Sequence, residues 1–216
     1  MQNDFIIVLA WPEGLTAAAG SWYDKILASN GKYRVGHSAL ILVNSKTKEL
    51  HYFDFGRYHT PLGFGRVRDS QTDPDLTLHT KAIISENTII NIKEILFEIK
   101  HIKSTHGKGK MYASLLPKVC FQKAYKYAKK VQDKGIVSYG PFVINGTNCS
   151  RYVASIMIAS KPRVLTRLRL KYPFCISPSP KRNVSIANTD YYIVENKKQQ
   201  LIKKSFLKSY FSTIEQ

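Results

Sequence analysis

Three apolar runs of strand length lie in the first quarter of the chain. Phe5–Ala10 contains β-branched residues and ends before Pro12 and Gly14, so we predict a buried strand there. Ser38–Val43 and Leu50–Phe55 are also strand-like, and the residues between them are polar and typical of a turn. The pattern therefore predicts a β-hairpin after the first strand.

Further along, apolar residues recur at the three- and four-residue intervals of an amphipathic helix. The predicted helices cover Thr16–Ser29, Thr88–Ile102, Leu116–Gln132, and a segment from Thr147 or Asn148 to just before Lys161. The remaining predictions are strands over Leu76–Ser85 and Tyr191–Val194, a long loop over Gly56–Pro74, and a basic helix at the end of the chain.

The composition is that of an ordinary globular protein. With 216 residues, 44% of them apolar, the chain can bury a substantial core, and we interpret 1–216 as one domain with a basic extension from about residue 181. Neither a secretory signal nor an apolar run of membrane-spanning length is visible, so a cytoplasmic location is expected. The three cysteines are widely spaced and are expected to be reduced thiols: Cys120, Cys149 and Cys175.

Lys and Arg outnumber Asp and Glu by 33 to 15, which gives a net charge of +18 that is concentrated toward the end of the chain. Such a field attracts anionic partners. No zinc finger, Gly-rich phosphate loop or aromatic-basic RNA-binding motif accompanies it. The charge therefore indicates either an anionic partner surface or a solvated lysine-rich exterior, and no specific nucleic-acid motif.

Cys149 is the strongest candidate for chemistry. It begins the helix predicted after Asn148, where unpaired N–H groups and the helix dipole lower a thiol pKa and favour the nucleophilic thiolate. Cys120 falls on the apolar face of a predicted helix and is expected to be a core residue. His37 follows Gly36 at the start of the hairpin, so its ring can reach a helix packed on the sheet and act as the base.

A third polar residue on the neighbouring strand would hold the imidazole of His37 in its tautomer and orientation. His51 and Asp54 compete for this role. If the turn is centred on residues 46–47, Asp54 lies opposite residue 39 and on the same face as His37. A shift of one residue in the register would bring His51 to that face instead.

Two segments resemble a known enzyme family. Residues 33–42, YRVGHSALIL, with LHY at 50–52, resemble the histidine strand and following strand of NlpC-type cysteine peptidases. Residues 146–153, GTNCSRYV, resemble their nucleophile helix. Here the cysteine follows the histidine, as in the circularly permuted branch that includes lecithin retinol acyltransferase-like proteins. The resemblance implies an α+β, permuted papain-like fold, with an antiparallel sheet packed against the nucleophile-bearing helix.

The resemblance also implies hydrolysis or acyl transfer at an amide, ester or thioester through an acyl-thiol intermediate, with no cofactor and no metal. Cys149 would be the nucleophile, with its backbone N–H in the oxyanion hole, and His37 the base. The family position of the third residue matches His51, so we rank His51 ahead of Asp54. The implied substrate is a small-molecule, peptide or lipid-like acyl compound.

Substrate contacts are predicted near these residues. Tyr139, shortly before the nucleophile, is a candidate for lining the pocket. Arg57 and Tyr58, with Arg66 and Arg68 beyond them, can bind a carboxylate or phosphate and form a predicted substrate rim. The alternative function is a non-catalytic binding module for nucleic acid or anionic lipid that uses the basic surface.

Overall fold

Strands make up the centre of this fold. The computed structural model describes residues 3–17, 32–34, 36–172, 179–196 and 198–205. The strands are β1 (Asp4–Trp11), β2 (Leu15–Ala17), β3 (Lys32–Arg34), β4 (His37–Val43), β5 (Leu50–Gly56), β6 (Phe64–Arg68), β7 (Ile84–Ser85), β8 (Thr88–Ile89), β9 (Met111–Val119), β10 (Val137–Ser138), β11 (Tyr191–Glu195) and β12 (Lys198–Ile202). The helices are α1 (Ile92–His101), α2 (Phe121–Gln132), α3 (Cys149–Ala159), α4 (Val164–Lys171) and α5 (Pro180–Ala187).

Eight strands form one antiparallel sheet in the order β10-β6-β5-β4-β1-β9-β11-β12. Helices α2, α3, α4 and α5 contribute to the core on one face, and α1 contributes to the core on the other. Because both faces are covered, β1 is buried along Phe5–Trp11 rather than alternating between core and solvent. The fold is therefore α+β. No described helix is long and apolar enough to cross a bilayer.

Several predicted elements are confirmed. The first strand, the β4–β5 hairpin and β11 lie where the pattern places them. Helix α3 begins at Cys149, and the side chain of Asn148 caps it by accepting a hydrogen bond of 2.8 Å from the backbone N–H of Arg151. The cap satisfies one of the first-turn donors and fixes the position at which the helix starts.

Other predicted elements were wrong, and strand pairing that overrides the local pattern accounts for most of the differences. The predicted helix over Leu116–Gln132 is strand β9 up to Val119, paired with β1, and becomes helical only at Phe121. The predicted loop over Gly56–Pro74 contains strand β6. The predicted strand over Leu76–Ser85 shortens to β7, and the helix predicted from Thr88 begins at Ile92, after β8.

The C-terminal part of the described chain belongs to the same sheet and core. Val184, Ile186 and Ala187 of α5 are buried in the α3-side core, and β11 pairs with β9. Residues from 181 onward, interpreted above as a basic extension, thus contribute a helix and two strands. Most of the helix predicted from Thr16 lies outside the described residues, and its first residues belong to β2. Cys175 and the end of the predicted final helix also lie outside them.

Candidate active site

His37 is placed by a glycine. Gly36 has φ of +64°, and a Cβ built on it would lie 2.4 Å from the carbonyl oxygen of Trp11. Any other residue would be strained and would collide with β1, so glycine lets the chain turn into β4 with His37 as its first residue. Trp11 pairs with His37 across the strands, and the two rings stack with centroids 5.8 Å apart.

The thiol of Cys149 lies close enough to the imidazole of His37 for each group to shift the pKa of the other. Since His37 Nε2 lies 3.0 Å from Asp54 Oδ2, Nδ1 is the ring nitrogen that remains for the sulfur. Burial alone raises the pKa of Cys149, but the hydrogen bond and charge of His37 lower it below its usual value. The hydroxyl of Ser150 and the backbone N–H of Ser38 lower the same pKa further.

Asp54 lies on β5 and is fully buried. Its Oδ2 accepts hydrogen bonds from the hydroxyls of Tyr52 at 2.9 Å and Tyr58 at 3.3 Å, besides its bond to His37. Burial by itself raises the pKa of Asp54, yet the hydrogen bonds and charges of His37 and Arg68 lower it to about 2. Asp54 is therefore a carboxylate at neutral pH and a fixed negative charge next to His37.

Arg68 is the second cation that holds Asp54. Its Nε donates to Oδ1 at 3.0 Å and its Nη2 to Oδ2 at 2.6 Å, which is the bidentate geometry that a guanidinium forms with a carboxylate. Nη1 donates to the carbonyl oxygen of Ser104, and the guanidinium carbon lies 3.3 Å from the centroid of the Tyr58 ring. Asp54 therefore cannot rotate away from His37 without breaking this fork.

These contacts decide the charge of His37. Burial lowers its pKa, but the hydrogen bond and charge of Asp54, with the thiolate of Cys149, outweigh burial and raise the pKa to about 9. A lowered thiol pKa beside a raised imidazole pKa favours the thiolate–imidazolium pair around neutral pH. The three side chains thus have the arrangement that a thiol nucleophile, a base and an orienting carboxylate would need.

His51 lies elsewhere. The register of the hairpin pairs Ala39 with Asp54 and Leu42 with His51, so Asp54 shares a face with His37 and His51 does not. The ring of His51 packs instead against α2, with centroids 5.2 Å from Phe121 and 5.5 Å from Tyr125. The ranking of His51 ahead of Asp54 is therefore corrected, because the turn over residues 44–49 sets the register that favours Asp54.

Two matched substitutions test this geometry. Asp54→Asn leaves a group of the same size that no longer attracts the imidazolium, so we expect thiol-dependent turnover to fall by about 10²- to 10⁴-fold. His51→Asn should change turnover less than about twofold, because the ring packs on α2 beside Glu49 and does not face His37. Steady-state rates of the folded variants measure both. A large loss in His51→Asn with a small one in Asp54→Asn would contradict the assignment.

A cleft of about 290 Å³ opens beside the pair. All three predicted substrate contacts, Arg57, Tyr58 and Tyr139, line it together with His37, and the guanidinium of Arg57 lies 5.5 Å from the Tyr139 ring centroid. The other lining residues are Gly14, Gly36, Phe55, Gly56, His106 and Lys108. Cys149 itself is only 5% exposed, so the approach to the sulfur is narrow.

The arginine rim predicted beyond Tyr58 needs correction. Arg66 forms a bidentate pair with Asp73, at 2.7 and 2.8 Å, and Arg68 is engaged with Asp54 as described above. Both lie on β6, which the sequence pattern did not reveal, and their charges are neutralised within the fold. In the described part of the chain, no three His, Cys, Asp or Glu side chains are grouped so that they could hold a metal ion.

The ionised thiol should be detectable by alkylation. Iodoacetamide is small enough for a narrow approach, and it reacts with thiolates. We therefore expect it to label Cys149 faster than Cys120, which is half-buried just before α2 and does not lie beside His37. His37→Ala should slow labelling of Cys149 and leave that of Cys120 unchanged. Peptide mass spectrometry after short exposure measures both rates. Equal labelling in the presence and absence of His37 would argue against the ion pair.

The chain is similar to known proteins both in sequence and in structure. The family model described as "Type VI secretion system effector TseH-like" matches residues 6–164, well over half of the chain. The structure is similar to the crystal structure of the type VI secretion system effector TseH, with a TM-score of 0.61 and 18% sequence identity, over 94% of this chain and 99% of that one. No curated protein matches the sequence. At this identity the structural likeness shows the fold.

Proposed function

The chain belongs to the TseH-like family of type VI secretion system effectors, and on that premise we propose that it is a cysteine hydrolase acting on a component of the cell that receives it. The observation that carries the proposal is the series Cys149–His37–Asp54, in which His37 lies 3.0 Å from Asp54 and close enough to the thiol to lower its pKa. Together with the hairpin and nucleophile-helix motifs, it supports a permuted papain-like fold of NlpC type.

The proposed reaction has two steps. The thiolate of Cys149 attacks the carbonyl carbon of an amide, ester or thioester, and the C–S bond forms as the carbonyl oxygen takes the negative charge. When the carbonyl re-forms, the bond to the leaving group breaks. His37 as imidazolium gives its proton to the leaving amine, alkoxide or thiolate. Water then attacks the thioester while His37 takes its proton, which releases the acid and restores the thiolate; an acyl acceptor other than water would make the same intermediate a transferase.

The start of α3 supplies the stabilisation of the oxyanion. Cys149 is the first residue of the helix, so its backbone N–H is one of the donors at the helix start that have no acceptor within the helix. An oxygen that becomes negative next to the attacked carbon would lie near this N–H and the positive end of the helix dipole. Removal of one such donor costs about 3 kcal/mol of transition-state stabilisation in enzymes where it is measured.

A covalent intermediate tests the proposal. p-Nitrophenyl acetate is a small activated ester, so we expect the enzyme to release p-nitrophenolate and to carry an acetyl group on Cys149 after a short reaction quenched in acid. Intact-mass and peptide mass spectrometry measure the acetyl group, and Cys149→Ala is the control for acetylation elsewhere. Acetylation distributed over several residues, and equal in the control, would contradict the proposal.

The pH dependence of the two thiol reactions should differ. Alkylation needs only the thiolate, so its rate should reach a plateau below the usual thiol pKa and stay there at higher pH. Turnover also needs the proton of His37, which is lost as the pH rises through about 9, so turnover should fall above that pH. Asp54→Asn removes the charge that raises this pKa, and the alkaline fall should then move to lower pH. An alkaline limb unchanged in Asp54→Asn would exclude His37 as its source.

The compartment in which the proposed target lies is accessible to experiment. The chain can be produced in a bacterium either without a leader or fused to a periplasmic export signal, each beside its Cys149→Ala counterpart. Growth arrest that requires Cys149 in one compartment assigns the target to that compartment. These fusions do not test where the chain lies in the cell that makes it. The cytoplasmic location expected there stays a prediction.

A further inference from the structure

Helix α4 presents an apolar stripe to solvent. Val164 is 75% exposed, Leu165 47%, Leu168 48%, and Tyr172, just beyond the helix, 62%. At 3.6 residues per turn the three helical positions lie within about 100° of one another. Leu170, which is buried in the core, lies nearly opposite Leu168 on the helix. The exposed side chains thus form a face directed away from the domain, which we name the α4 stripe.

Cations flank the α4 stripe on both sides. By the same helical geometry, Arg167 and Lys171 lie along one edge, and Arg169 lies along the other. Lys161 lies in the turn before the helix, near Lys123 and Arg167. Both neighbours lower the pKa of its ammonium, and Lys123 has the larger effect. Like charges are therefore grouped here.

The absence of acids extends well beyond the helix. From residue 134 to residue 189 the sequence contains nine Lys or Arg and no Asp or Glu. This stretch supplies α3, α4 and α5, so none of the three carries a carboxylate side chain. An apolar face bordered by cations, on a helix that carries no carboxylate side chain, complements a surface that is apolar inside and anionic outside.

We propose that the α4 stripe is a docking surface for a bilayer that contains anionic phospholipid. The apolar side chains would enter the boundary between headgroups and acyl chains, and the flanking Arg and Lys would contact phosphates. A nucleic acid would use the cations but would gain nothing from four exposed apolar side chains, which is why the lipid surface is favoured. The stripe would keep the proposed hydrolase at a membrane, and it acts independently of Cys149.

Vesicle co-sedimentation tests the proposal on the full chain. We expect binding to vesicles of phosphatidylcholine mixed with phosphatidylglycerol, weaker binding to phosphatidylcholine alone, and a decrease with added salt. Val164→Ser, Leu165→Ser and Leu168→Ser combined remove the apolar face and keep every charge, and should lower the affinity for the mixed vesicles at least tenfold. Arg167→Glu with Lys171→Glu should lower it by about fivefold or more for each charge.

The control places the same charge change on the opposite face of the sheet. Lys93→Glu with Lys103→Glu changes two exposed lysines on and just after α1, and vesicle affinity should change less than about threefold. Iodoacetamide labelling of Cys149 should be unchanged in all variants, which shows that each is folded. Equal binding to both vesicle types, equal losses in the α1 control, or displacement by duplex DNA without any effect of the serine substitutions would overturn the proposal.

Discussion

Replacing Cys149 with alanine is expected to abolish turnover, with a loss on the order of 10⁴- to 10⁶-fold, and to abolish any growth arrest caused by the chain. The reason is that no other described group can replace the sulfur: His37 lacks a nucleophile to activate, and Ser150, whose hydroxyl lies 3.8 Å from the sulfur, has no base of its own. Hydrolysis rates of purified protein and growth of producing cells measure the two effects.

Cys120→Ala is the matched control for this experiment. It removes a thiol that lies just before α2 and away from His37, so turnover should change less than about twofold. The thermal unfolding transition of Cys149→Ala should stay within a few degrees of the parent, because the change removes one sulfur from a helix start. Growth arrest that persists in Cys149→Ala at equal protein level would mean that the chain acts by binding rather than by hydrolysis.

Replacing Arg68 with methionine is expected to give the largest loss of stability, about 3 to 5 kcal/mol in the free energy of unfolding. Arg68 and Asp54 are both buried and joined by two hydrogen bonds. Removal of the guanidinium therefore leaves Asp54 as a buried carboxylate with His37 as its remaining cationic partner. The stack on Tyr58 and the bond to Ser104 are lost as well. Urea unfolding followed by circular dichroism measures the change.

Arg66→Met is the control, since Arg66 lies two residues earlier on the same strand and also pairs with a carboxylate. That pair is partly exposed, so its loss should cost about 1 kcal/mol or less. A role in positioning Asp54 predicts a second effect, because the pKa of Asp54 rises without Arg68. On acidification, labelling of the Cys149 thiolate should then be lost at a higher pH than in the parent protein. Arg68→Lys should move that pH part of the way back. Equal costs for both arginines, with unchanged pH profiles, would reduce Arg68 to a structural ion pair.

Two contacts that the sequence did not predict hold the site, and each depends on how strands pair. Trp11 stacks on His37 only because β1 and β4 are paired in register. Arg68 meets Asp54 only because β6 pairs with β5. The segment that contains β6 holds glycine, proline and charged residues, which favour a loop, and its alternation over Phe64–Arg68 is too short to outweigh them.

The sequence by itself determined the local parts of this protein. Apolar runs of strand length placed β1 and the β4–β5 hairpin, and a capping Asn before an apolar stripe placed Cys149 at the start of α3, because these signals depend only on neighbouring residues. Only the tertiary structure decided that β9 is a strand, that Asp54 rather than His51 meets His37, and that Arg68 holds Asp54. Each of these depends on pairing between segments distant in the chain, where a shift of one residue reverses the face that a side chain occupies.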